Sequence, residues 1–364
     1  MRQKFRHRRK TSKDLKAALD MAANFLRLPF VRPVLIITAA VCLLMIVLPW
    51  AVVRFTPEKS EKEKVLLPEA GFELKEVPSD ITIYRTASGT AETIDFEDYV
   101  KGVVSGEMPS TFHIEALKAQ AVATRTYSLA RVLSAASEGN PQAHPAAPLC
   151  DSTHCQVYRS PSELEQLKGS DWMKDDWKKI CRAANETKGQ LLYYNGELVE
   201  QALFHSSSGG KTENSEDVFA AAVPYLTSVD SPYEEKATHR EEKHAFTVSE
   251  LASAVKSSYP GTDFGNITAD SIKILDRSSG NRVASMQFGS GTLTGREVRE
   301  ALDLPSANFT VDISENTVTF TSNGSGHGVG MSQYGANVMA AQGSGYADIL
   351  AHYYPGTALI RAES

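Results

Sequence analysis

The sequence predicts an α+β fold of mixed helices and short antiparallel strands, set behind a single N-terminal transmembrane helix. Three observations carry this. Period-2 stretches such as Ile81-Thr-Ile-Tyr84 recur along the chain. They alternate with stretches of helical spacing, such as Phe96, Tyr99, Val100, Val103 and Val104. The third is Val34 to Val53, twenty residues without a charge between Arg32 and Arg54, enough to span a bilayer. With 42% hydrophobic and 23% charged residues, 24 Gly, 16 Pro and 4 Cys in 364 residues, the composition is globular, and neither disordered, collagen-like nor a disulfide scaffold.

Residues 1–32 hold ten Lys or Arg against two Asp, a net +8, which leaves 28 bases against 42 acids, or −14, on the rest of the chain. Basic flanks stay in the cytoplasm, so 1–32 reads as a cytoplasmic head, 33–53 as a signal anchor and 54–80 as a charged, Pro-containing stalk. Residues 81–364 then form an extracytoplasmic domain at the cell membrane. A cleaved signal peptide would leave that domain in the same compartment, although the apolar run is longer than usual for one. The acidic balance of the body excludes nucleic acid as its partner.

Within the body, Ile81–Tyr84 and Thr93–Phe96 read as a hairpin across ASGTAE. A helix follows, with Asp95, Glu97 and Asp98 at its start and Gly106 and Pro109 at its end. A second helix is expected from about Ile114 to Leu133, with one packed face through Ile114, Leu117, Ala121 and Val122. Residues 135–159 are irregular. Leu191–Tyr194 and Leu198–Phe204 form a hairpin across Asn195-Gly196, and a Ser/Gly loop follows. Residues 240–305 mix short helices and strands, including Ser271–Leu275 and Arg282–Phe288. Thr317–Thr321 is a strand, then a Gly-rich loop leads to a helix from about Met331 to Gln342, closed by Gly343.

Four constellations could carry chemistry. Glu107 in GVVSGEMPS sits at a helix C-terminus, where the dipole disfavours a carboxylate; shielding from water would raise its pKa further and suit it to general acid work. Its alternative is an ordinary surface glutamate. Arg125 lies on the packed stripe of the second helix and needs a carboxylate or a bound anion, unless it snorkels at the edge. His144, Cys150, His154 and Cys155 match the Cys₂His₂ donor set of zinc, a structural ion if all four bind. The rivals are a disulfide, Cys150 with Cys155 or either with Cys181, and free thiols. The loop His205-Ser206-Ser207-Ser208-Gly209-Gly210-Lys211 reads as a strand-end loop for sugar hydroxyls or as a solvated turn. Its S-x-x-K spelling lacks the helix that penicillin-binding enzymes require. In GSGHGVGMSQYGA, glycines at 324, 326, 328 and 330 demand positive φ or very close backbone approach, and His327, Gln333 and Tyr334 are the polar groups presented. His327 packed beneath a turn is the plainer alternative.

Taken in order, GVVSGEMP, ALKAQAVATRTY, the His/Cys cluster, FHSSSGGKTENSEDVF, GHGVGMSQYGANVMA and ILAHYYPGT resemble the stage II sporulation protein D family of spore-forming bacteria, from about Ile81 to Leu359. The resemblance implies a SpoIID-type domain and a lytic transglycosylase that cleaves peptidoglycan glycan strands during forespore engulfment. It implies stem peptides already removed by a partner amidase, stage II sporulation protein P, in a complex with stage II sporulation protein M. It places the catalytic acid/base on Glu107, supporting roles on Arg125, Lys211 and Tyr334, and zinc on His144, Cys150, His154 and Cys155. Ser325 stands where many relatives carry an aromatic. Hydrolytic glycosidases use two carboxylates, whereas a lytic transglycosylase uses the sugar's own 6-hydroxyl and needs one; no second carboxylate stands in the Glu107 motif, and Glu213, Glu216 and Asp217 are unplaced. A glycan-binding module that enhances an amidase without catalysis is the alternative function.

Overall fold

The structure, a computed structural model, describes residues 73–362 except Ala220, Pro232, Tyr233 and Glu235, together with Met45. The basic head, the expected anchor apart from Met45, and the stalk up to residue 72 lie outside the described residues. Among the described residues no helix is long and apolar enough to cross a membrane. The described end of the stalk is already docked, since the Lys75 N–H donates to the Tyr193 hydroxyl at 2.9 Å.

β1 (Asp80–Arg85) and β2 (Thr90–Asp95) form the expected antiparallel hairpin, with Asp80 opposite Asp95 and Arg85 opposite Thr90. Asp95 caps α1 (Phe96–Glu107) by accepting from the Asp98 N–H, which satisfies one orphan donor of the first turn. α2 (Ile114–Glu138) follows, and all its residues from Ala116 to Ala130 are buried except Lys118. The sequence suggested one packed face; the helix is instead enclosed on all sides, which its Ala, Ser and Thr content permits. β3 (Leu149–Cys150) pairs in parallel with β1. α3 (Pro161–Lys168) starts with a full Ser160–Glu163 capping box, and α4 (Ser170–Glu186) buries only Ile180, Ala183 and Ala184. β4 (Gln190–Tyr194) and β5 (Glu197–Leu198) turn at Asn195 and Gly196, both at positive φ, as their spelling requires.

The chain then passes through β6 (Phe204–His205), β7 (Gly210–Lys211), α5 (Glu216–Phe219) and β8 (Asp230–Ser231). An insertion follows, made of β9 (Glu242–Thr247), α6 (Val248–Ser258), β10 (Ile272–Arg277), β11 (Val283–Phe288), β12 (Gly291–Thr294), α7 (Gly295–Ala301), β13 (Phe309–Ser314) and β14 (Thr317–Ser322). The chain closes with β15 (Met331–Ser332), α8 (Gln333–Ala341), α9 (Tyr346–Tyr353) and β16 (Ala358–Arg361).

Two apolar cores result. The larger packs α1, α4, α8, α9 and the sheet β16-β4-β5 around α2. The insertion has its own core, which includes Leu251, Phe264, Met286, Phe288, Val298, Phe309 and Phe320, beneath the sheets β10-β11-β12 and β13-β14-β9. β15 returns to the first core by pairing in parallel with β6. That pairing brings the start of α8 beside the Ser/Gly loop.

One close contact shapes the region around the end of α1. A Cβ on Gly106 would stand 2.3 Å from the Val157 carbonyl oxygen, and one on Gly102 would stand 2.3 Å from the Tyr158 ring. Only glycine at both positions lets residues 157–158 lie flat on the helix, where Tyr158 stacks on Tyr99 with centroids 5.4 Å apart. In an isolated helix Gly106→Ala would stabilise by about 1 kcal/mol. Here urea denaturation is expected to show a loss of about 1–3 kcal/mol from overpacking; a stabilised variant would show the contact to be slack.

Candidate active site

Glu107 is the last residue of α1 and is partly buried. Its Oε1 accepts from the Val157 N–H at 2.6 Å, and the Gln333 side chain donates a second hydrogen bond to the carboxylate. Burial pushes the carboxyl above the usual glutamate range; the two hydrogen bonds favour the charged form but act less strongly. No charged side chain among the described residues perturbs it.

Opposite Glu107 stands the first turn of α8. The buried Gln333 amide also reaches Gln120 Oε1 at 3.5 Å. The Tyr334 N–H donates to the Ser206 carbonyl at 3.0 Å, and its ring meets Phe112 edge-on at 4.9 Å. The turn after Glu107 is fastened from two sides. Asn337 accepts from the His113 N–H at 2.7 Å, while Lys179 donates to the Ser110 and Phe112 carbonyls at 2.7 and 2.6 Å. Trp172 donates to the Ser110 hydroxyl at 3.2 Å. The structure thus brings Glu107, Gln333, Tyr334 and Ser206 to one place.

The Ser/Gly loop is less exposed than a sugar-binding turn would be. His205, Ser207 and Ser208 are buried, which removes them from direct reach of a polymer, whereas Ser206 is partly exposed and Gly209 exposed. Burial, with the neighbouring His327 and Arg282, holds His205 well below the usual histidine range, and its Nδ1 lies 3.2 Å from the Val329 carbonyl. His327 is pushed down to about 4 by burial and by Arg299 and Arg282. It accepts the Val329 N–H at 3.1 Å, the packed arrangement beneath a turn. The glycines of the second loop answer both demands read from the sequence: Gly330 has φ of 72°, and a Cβ there would sit 2.1 Å from the Leu203 carbonyl oxygen. Ser325 exchanges backbone hydrogen bonds with Ser207.

Lys211 lies partly buried on β7, and its carbonyl accepts from Arg282. The acids left unplaced by the sequence have partners of their own, and none of them perturbs Glu107. Glu213 pairs with Arg282 at 3.3 Å, both buried, Asp217 accepts from Asn214, and Glu216 from Ser215.

Arg125 has the carboxylate partner that the sequence allowed. It is fully buried and grips Glu97 with two bonds, at 2.8 and 2.7 Å, while donating to the Ala121, Gln190 and Ala184 carbonyls. Glu97 is ten residues before Glu107, about 15 Å along α1. Arg125 therefore joins α1, α2, the end of α4 and β4, and does not touch Glu107.

The His/Cys cluster is gathered. The donor atoms of His144, Cys150, His154 and Cys155 lie within 4.8 Å of one another, and all three described cysteines are free, with no disulfide. Cys155 Sγ stands 3.3 Å from His144 Nε2 and 3.5 Å from His154 Nδ1, and Cys150 Sγ stands 3.9 Å from His154 Nδ1. A tetrahedral zinc with these donors has ligand-to-ligand edges of about 3.3–3.8 Å. His144 Nδ1 is held 2.8 Å from the Ala147 carbonyl, which leaves Nε2 to ligate. The residues fit such an ion.

The model of the family described as "Stage II sporulation protein" matches residues 84–194. A stage II sporulation protein D of Bacillus amyloliquefaciens is 38% identical over 92% of this chain and 97% of its own length. The chain belongs to the stage II sporulation protein D family. The Bacillus subtilis member is 40% identical over 80% of this chain and 82% of its own length. A B. subtilis relative named Amidase enhancer is 33% identical over 71% of this chain and 40% of its own length.

The sequence did not single out Gln120, although it lies within ALKAQAVATRTY, nor Lys179, Glu234 or Arg282. Glu234 accepts five hydrogen bonds beneath the Ser/Gly loop, and in sequence it is one member of a Glu-Glu-Lys run that reads as solvated.

A carboxyl whose folded pKa exceeds its unfolded value stabilises the fold when protonated, and that stability is lost as pH rises through the folded pKa. Glu107→Gln stays neutral throughout. Its melting temperature is expected to equal or exceed wild type at pH 7, with the gap closing as pH falls to about 4. A deficit of constant size at every pH would contradict the raised carboxyl.

Proposed function

We propose that this family member is a lytic transglycosylase acting on peptidoglycan glycan strands stripped of stem peptides, during forespore engulfment. The observation that carries the reading is Glu107, a carboxyl raised by burial with no charged side chain among the described residues perturbing it as a second catalytic acid would. In this mechanism the protonated Glu107 gives its proton to the glycosidic oxygen as the bond to muramic acid C1 breaks. The resulting carboxylate then removes the proton of that sugar's 6-hydroxyl, whose oxygen closes on C1. The product is a 1,6-anhydro end, Glu107 is protonated again, and no water is consumed. The Val157 N–H and the Gln333 amide hold the carboxylate in place and keep its charged form accessible for the second half. On this reading Tyr334, Ser206 and Gly209 contact the glycan, and Lys211 supports substrate binding. Arg125 acts at a distance, by fixing α1.

The same reading places the −14 body outside the membrane on the anchor expected over 33–53, with the +8 head in the cytoplasm. The Amidase enhancer relative supports a working link to a cell-wall amidase, which family resemblance assigns to stage II sporulation protein P, with stage II sporulation protein M. It also favours a second reading, in which the domain only grips glycan and stimulates that amidase. The full chain in detergent, incubated alone with denuded strands, separates the two, since an enhancer releases nothing. On the first reading Glu107→Gln lowers fragment release by about 100-fold or more while strand binding is kept; unchanged release would refute it.

Zinc held by His144, Cys150, His154 and Cys155 would be structural, since four protein donors leave no position for a reactive water. Stripping the metal with a chelator, or Cys155→Ser, is expected to lower metal content from one zinc per chain to none and to lower the melting temperature. Loss of activity with an unchanged melting curve would instead point to metal hydrolase chemistry.

A further inference from the structure

We propose that Glu234 is a positioning residue of the site, tying the Ser/Gly loop to the first turn of α8 and so holding Gln333 against Glu107. The inference rests on the reading of Glu107 as the acid/base, and its geometry is independent of it.

Glu234 is buried. Its Oε2 accepts the Ser208 and Gly209 N–H groups at 2.9 and 3.1 Å. Its Oε1 accepts the hydroxyls of Ser208, Ser231 and Ser332 at 2.8, 2.8 and 2.6 Å. No cation hydrogen-bonds it among the described residues; its direct partners are all neutral N–H and O–H donors. Arg282, from the insertion, adds a favourable field while donating to the Ser208 carbonyl at 2.9 Å.

Ser332 is the link to the site. It caps α8 by accepting the Gly335 N–H at 3.1 Å, and it spends its own proton on Glu234. The fit is tight: a Cβ on Gly335 would meet the Tyr353 hydroxyl at 2.0 Å, Ser231 Oγ at 2.3 Å and Glu234 Oε1 at 3.0 Å. The next residue after Ser332 is Gln333, whose side chain bonds Glu107. An amide of the same shape keeps an acceptor on one side only: with its oxygen on the Ser208 and Gly209 N–H groups, its NH₂ faces the Ser208, Ser231 and Ser332 hydroxyls, which must then turn their protons away.

The test is the titration of Glu107 in the full chain in detergent, followed by carboxyl carbon resonance of labelled glutamate and assigned by its loss in Glu107→Gln. Gln333→Leu removes the hydrogen bond directly and should raise the midpoint by about one pH unit, the worth of one hydrogen bond to a charged group. Glu234→Gln should raise it in the same direction, and Ser332→Ala, which removes one link with little change of shape, by a smaller amount. An unmoved midpoint in Glu234→Gln beside a raised one in Gln333→Leu would overturn the proposal, as would an unmoved midpoint in Gln333→Leu itself. If Glu234→Gln does not fold, Ser332→Ala decides by the same criterion. The readout needs no turnover, so the raised midpoints with no fragment release would keep the positioning role and remove the enzymatic reading.

Discussion

The site depends on how closely residues 156–158 lie along α1. Gly102 and Gly106 remove the side chains that would hold that segment off, and the Val157 N–H then reaches the Glu107 carboxylate. The same segment follows directly on Cys155, a member of the His/Cys cluster, and Gln156 is buried against Tyr99 and Ser128 at 3.3 and 3.1 Å. Cluster, segment and carboxylate therefore form one short chain of contacts. Burial of a carboxyl is costly, and this arrangement offsets only part of that cost with hydrogen bonds. What is left is a group that holds its proton above the usual range, which is a requirement for an acid at near-neutral pH and a burden on stability.

Where short-range chemistry decides the structure, the sequence was informative. Asp95 and the acids after it mark the start of α1, Gly106 and Pro109 bracket its end, and Asn195-Gly196 makes its turn. Glu107 could be singled out because a carboxylate at a helix C-terminus opposes the dipole. Arg125 on a packed stripe left a carboxylate, a bound anion and snorkelling open; its partner Glu97 lies 28 residues away on another helix, and no local rule names it. α4 gave little signal because it buries so few residues. The insertion's separate core rests on pairings such as β9 with β14, about seventy residues apart, which periodicity cannot register. His205, Ser207 and Ser208 looked like a polar surface loop; they are inside because Glu234, Arg282 and the glycine loop satisfy or enclose them, and those partners come from three other parts of the chain.

The two buried charged nodes next to the site, Glu234 under the Ser/Gly loop and Arg282 with Glu213 behind it, make that wall a rigid one. Breaking either would strand the remaining polar groups in a medium of low dielectric. The insertion supplies Arg282, so its separately folded core bears on the loop that faces Tyr334. Rigidity of this kind suits the proposed chemistry, in which one carboxyl gives and then takes a proton while a long polymer is held in one register.

In the proposed mechanism one carboxyl, Glu107, cleaves the glycan without water. Mass spectrometry of the ends released when the full chain alone acts on denuded strands tests it most directly. The proposed mechanism predicts 1,6-anhydro-muramic acid ends, lighter by one water than reducing ends. Reducing ends would mean hydrolysis and a second catalytic group, and no released ends at all would mean a binding domain.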